Sequence, residues 1–97
     1  MLPEDNLRRH ERMPFASNVA YSVTVMDFKQ LENIRDTAIS VDISDGGLGM
    51  ITGYPLEKGH VLTFIDMIKT KNINPKVAIV KWIWKIDNKY RVGVKFV

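Results

Sequence analysis

Two short segments carry the residue types that could hold a nucleotide. Asp42-Ile43-Ser44-Asp45-Gly46-Gly47 places a carboxylate, a hydroxyl and a flexible run of backbone within six residues. Upstream, Arg8-Arg9-His10-Glu11-Arg12 places three permanent cations within five. A guanine base matches that combination. Its O6 and N7 acceptors suit an arginine fork, and its N–H donors suit a carboxylate. A phosphate suits arginines and free backbone N–H groups near glycine. Each segment also has a plainer reading. A charge run is usually a solvated face, and so a loosely polyanion-binding tail. Asp and Ser ahead of Asp-Gly-Gly commonly bond local backbone in a turn.

The elements that must position these residues read as short strands. Residues Asn18 to Met26 alternate, with Val19, Tyr21, Val23 and Val25 on one face. That is the pattern of a half-buried strand. Phe28, Leu31 and Ile34 are three apart, which fits either a short helical turn or a long hairpin loop. Thr37 to Ile43 reads as a second strand, rich in β-branched residues. Ser44-Asp45-Gly46-Gly47 then turns the chain, since Asp-Gly and Gly-Gly pairs accept positive φ cheaply. Leu48 to Ile51, His60 to Ile68, Lys76 to Ile86 and Tyr90 to Val97 complete a set of six. Gly53-Tyr54-Pro55, Lys69 to Pro75 and Asp87-Asn88 break between them. Six strands without a convincing long helix predict a small all-β antiparallel barrel, a closed form that limits exposed edges.

Ahead of the barrel, residues 1–14 are charged and contain Pro3 and Pro14. They read as a flexible, arginine-bearing arm, with residues 15–97 as the barrel domain. Pro14 pushes Met13 into an extended conformation. Asp42 and Ser44, two apart on a strand, are expected on one outer surface, with Ile43 in the core. Alternation also sets Ala78, Val80, Trp82, Trp84 and Ile86 on one face of the longest strand. Either both tryptophans point inward or the strand bulges.

Composition narrows the function classes. Ninety-seven residues make one domain, and 45% hydrophobic content fits a packed core. A net charge of +3 is too mild for a dedicated nucleic-acid binder. With no cysteine and two distant histidines, His10 and His60, thiol chemistry is excluded and no metal site is expected. No nucleophile–base pair stands out, so the chain reads as non-enzymatic. No apolar run approaches a membrane span or a signal peptide, which sets the expected location as the cytoplasm.

Arg8 and Arg12 fit an RxxxR pattern, and Asp42, Ser44 and Gly47 fit [D/N]xSxxG. With Gly59 before the fourth strand, Val80-Lys81-Trp82 in the fifth and Gly93-Val94-Lys95-Phe96 in the sixth, the chain resembles the PilZ domain family over about residues 7–97. The resemblance implies a six-stranded antiparallel PilZ-type barrel with a flexible N-terminal arm. It also implies a bacterial, non-catalytic receptor for the second messenger cyclic di-GMP. Arg8, Arg9, Arg12, Asp42, Ser44, Gly46 and Gly47 become the expected ligand contacts. Trp82 is the aromatic expected to flank the nucleotide. Cyclic di-GMP is then a ligand rather than a cofactor, and ligand-induced ordering of the arm signals to an unidentified protein effector. In the family, the position of Leu7 is associated with whether one or two ligands bind. Two other readings use the same barrel. One is a nucleotide-silent adaptor acting through protein contacts. The other is a small nucleic-acid binder using its arginines and exposed aromatics.

Overall fold

The computed structural model describes residues 13–14, 16–65 and 75–97. Among the described residues, seven antiparallel strands follow one another: β1 (Met13–Pro14), β2 (Asn18–Asp27), β3 (Gln30–Ile43), β4 (Gly47–Thr52), β5 (Val61–Phe64), β6 (Val77–Ile86) and β7 (Lys89–Phe96). Their order is β1-β3-β2-β5-β6-β7-β4, and a further β3–β4 pairing closes the sheet on itself. β2 to β7 thus form the closed six-stranded barrel that the strand count predicts, and the two-residue β1 is laid on β3 beside β2.

The core follows the period-2 pattern. Val19, Tyr21 and Val23 of β2 are buried, as are Ala38 and Ile43 of β3, Leu48 and Met50 of β4, Leu62 of β5, Val80 of β6 and Val92 of β7. Phe64 and Phe96 meet edge to face, with ring centroids 6.1 Å apart.

Residues 28–35 form neither a helical turn nor a loop. β2 and β3 continue as strands to a two-residue turn at Phe28-Lys29, where φ is 46° and 72°. The three-residue spacing misleads because its members do different jobs. Phe28 sits in the turn, Leu31 is exposed, and only Ile34, paired with Val23, packs against the core.

One polar cluster lies within this apolar interior. The Tyr21 hydroxyl and Thr52 Oγ1 are 2.7 Å apart, and Thr52 Oγ1 donates to Asp36 Oδ2 at 3.4 Å. Thr52 also accepts the Tyr54 N–H at 3.3 Å. With Tyr21 as the donor, Thr52 uses its one proton and both lone pairs, so no polar atom of the cluster is stranded. Burial, reinforced by the negative charge of Asp36, pushes the Tyr21 hydroxyl up to about 12, although its bond to Thr52 acts the other way.

This shift has a consequence for stability. An unfolded tyrosine releases its proton near pH 10, whereas folded Tyr21 keeps it until about 12. Below pH 10 both states are protonated and the group contributes no pH dependence. As pH rises from 10 to 12, the unfolded state is favoured by about 1.4 kcal/mol per unit. Urea midpoints at pH 9.5 and 11.5 should therefore fall further in the wild type than in Tyr21→Phe. Parallel falls in the two proteins would remove Tyr21 as the source.

Candidate functional site

Asp42 occupies the last turn-ward stretch of β3, next to Ile43, which is fully buried. The β3–β4 register shifts between Ser40 and Asp42. That bulge gives Val41 no partner, leaves Ser40 facing the interior at 2% exposure and carries Asp42 to the outer surface. Asp42 then pairs with Gly49 of β4. The carboxylate lies over that glycine: a Cβ built there would sit 2.7 Å from Asp42 Oδ1.

Ser44 has a different place from the one alternation predicts. It lies beyond the last residue of β3, so the strand period no longer governs it. It is 4% exposed, and its Oγ accepts the Gly46 N–H at 3.3 Å. The Ser44 N–H donates to the Gly47 carbonyl at 2.9 Å, and the Gly46 carbonyl accepts the Phe96 N–H at 2.9 Å. Ser44 and Gly46 thus lock the turn onto β7. Positive φ is not what the glycines supply, since Gly59 alone among the described glycines has it, at 94°. Gly47 is needed for a close approach. A Cβ there would collide with the backbone carbonyl of Val94.

A second bulge decides the tryptophans. The β6–β7 register shifts between Val80 and Trp82, leaving Lys81 as the extra residue. Before it, Ala78 and Val80 face the core; after it, Trp82 and Trp84 face outward at 45% and 70% exposure. Trp82 pairs with Gly93 of β7. Its indole lies across that glycine, so that a Cβ there would collide with the ring.

Gly93 in turn pairs with Gly49, and Pro14 of β1 pairs with Asp42. One outer row therefore runs Pro14, Asp42, Gly49, Gly93, Trp82 across five strands. At about 4.8 Å per strand, Asp42 and Trp82 are about 14 Å apart along the curved sheet. Their side chains lean inward over a floor without Cβ atoms. A carboxylate at one wall and an aromatic plane at the other could hold a purine by its N–H edge and its face.

Arg8, Arg9 and Arg12 lie outside the described residues, as do His10, Lys69 and Lys71. The sequence reading missed Gly49 altogether and saw Gly93 only as part of the closing strand. The available signal was their outward phase in strands whose inward positions are Leu48, Met50, Val92 and Val94. Among the described residues, no group of three or more His, Asp or Glu could hold a metal ion, and no helix is long and apolar enough to cross a membrane.

No curated protein shows significant similarity to the chain. Among solved structures, the Bacillus subtilis inhibitor of motility MotI/DgrA matches with a TM-score of 0.58 at 20% identity, covering 93% of this chain and 42% of that one. Escherichia coli YcgR, solved in complex with c-di-GMP, matches with a TM-score of 0.51 at 17% identity, covering 93% of this chain and 38% of that one. This chain therefore spans less than half the length of either, and the likeness is one of fold. The PilZ domain matches residues 6–97, nearly the whole sequence. Barrel topology, motif order and this match agree: the chain belongs to the PilZ domain family.

Proposed function

We propose that this chain is a non-catalytic receptor for cyclic di-GMP. The observation that carries the reading is the outer row in which Asp42 and Trp82 face each other across Gly49 and Gly93. Asp42 takes a guanine N–H edge, and Trp82 covers a base plane. Ser44, Gly46 and Gly47 hold the turn beside them. Residues 1–14 act as an arm anchored at its end by the pairing of Met13–Pro14 with β3, and residues 15–97 as the receptor barrel. Arg8, Arg9 and Arg12 close over the ligand, forking onto guanine acceptors or phosphates. Binding orders the arm, an order–disorder switch, and the joint surface of arm and nucleotide is what a downstream protein reads. The ligand biases that switch only by its differential affinity for the ordered state.

Support comes from membership of the PilZ family and from the c-di-GMP complex of YcgR, which shares the fold. The test is calorimetric titration of cyclic di-GMP into the wild-type chain, repeated with GTP and with duplex DNA. Saturable binding of the cyclic dinucleotide alone, with mild salt dependence, is the expected result. Binding of DNA that weakens steeply with salt would move the function to nucleic acid. Silence toward every ligand, in calorimetry and in NMR shifts, would leave an adaptor that works through protein contacts.

A further inference from the structure

The end of the barrel away from Asp42 carries a feature the receptor reading does not use. β2 pairs with β5 only from Tyr21 to Val23, and β3 pairs with β4 only from Ile39 onward. The rest of β2 and β3 therefore projects as a two-stranded ribbon. From Gln30 to Asp42 is about 40 Å at strand spacing, so the ribbon's apex is remote from the proposed ligand.

Phe28 stands at that apex with φ of 46° and is 94% exposed. A bulky aromatic in the left-handed region is strained, and two-residue turns favour Asn-Gly or Asp-Gly. Among the described residues, no packing offsets that strain. Met26 and Leu31, paired just below, are 68% and 72% exposed. Large apolar groups gathered in this way mark an interaction surface.

Beside the ribbon runs an open groove of about 580 Å³. Val25, Met26, Leu31 and Tyr54 give it an apolar lining, and Asp27, Glu32 and Glu57 add carboxylates. The apex carries the complement, an apolar ring on Phe28 and a cation on Lys29. It is the turn of the same ribbon that walls the groove, and neither apex residue lines it. The apex of a second copy carries that complement.

We propose that a second copy of this chain fills the groove. Two ribbons pack side by side about a twofold axis. Each sets Phe28 on the other's apolar lining and Lys29 against the other's Asp27, Glu32 and Glu57. Such a contact is isologous and closes at two copies. Aromatic side chains bury about 150–250 Å² each, so the two Phe28 rings alone bury about 300–500 Å², and with Met26 and Leu31 of both copies the contact falls in the class of small, transient interfaces, below about 1,200 Å². The dimer is accordingly reversible. It forms without cyclic di-GMP, so its failure and that of the receptor reading are separate results.

Sedimentation equilibrium up to about 1 mM protein tests it. Wild type should pass from monomer to dimer, and Phe28→Asp should remain monomeric with an unchanged circular dichroism spectrum. Lys29→Glu has an acidic apex over an acidic groove. The double variant Glu32→Lys, Glu57→Lys has a basic apex over a basic groove. Each alone should be monomeric, and an equimolar mixture should dimerise, because both contacts are then complementary. A wild type that stays monomeric throughout overturns the proposal and gives the groove to a different protein. A dimer that survives Phe28→Asp, or a mixture that fails to recover, overturns it as well.

Discussion

Arg12→Ala is expected to bind cyclic di-GMP about 10- to 150-fold more weakly than wild type, and Arg8→Ala to lose a similar factor. The magnitude is that of a charge-assisted hydrogen bond, about 1.5–3 kcal/mol. Arginine forks two donors at one acceptor pair and keeps its charge throughout the usable pH range. Lysine at either position should therefore recover only part of the loss. Arg12 has the stronger claim to direct contact, because it is tethered two residues from Pro14, the first member of the outer row. Thermal unfolding should be unchanged in both variants, since the core is assembled from β2 to β7. Binding lost together with the fold would make the segment structural and would sink the switch.

Gly47→Val should have the largest effect on the fold, and by a route that binding data alone would misread. The new Cβ would meet the Val94 carbonyl oxygen, which is backbone and cannot swing away. Overpacking a well-fitted site costs about 1–3 kcal/mol and sometimes more. With an immovable neighbour, about 3 kcal/mol or above is expected. In a domain of this size each kcal/mol lowers Tm by about 4–8 °C, so the melting point should drop by at least about 12 °C. Loss of cyclic di-GMP binding would follow, and a motif scan without melting curves would count Gly47 as a ligand contact. Gly93→Ala is the informative contrast. Its clash is with the Trp82 indole, a half-exposed side chain that can turn away. The expected result is a small change in Tm, a shifted tryptophan emission and weaker ligand binding. Equal melting points for Gly47→Val and wild type would refute the close-packing role.

Much of the architecture can be read from residue order, because alternation is a local property of a strand. Val19, Tyr21 and Val23 are buried as their phase requires, and Gly46-Gly47 and Asp87-Asn88 mark turns where β4 and β7 begin. The ribbon was harder. Phe28-Lys29 is not a turn pair that composition flags, and its exposed apolar neighbours imitate a helical spacing.

The sequence by itself determined the strand set, the inward phase of most strands, and the order of motifs that marks the family. Tertiary structure alone decided which of those residues meet. β7 reaches back to β4, and β5 to β2, pairings between strands far apart in the chain that no local pattern encodes. The bulges at Val41 and Lys81 each reverse the phase of the residues that follow, and a one-residue insertion leaves no compositional trace. Without the second, Trp82 would point into the core. With both bulges and the closure, Asp42 and Trp82, forty positions apart, face each other over Gly49 and Gly93. Period and turn chemistry act over a few residues, whereas register across a closed sheet is set by the packing of the whole barrel.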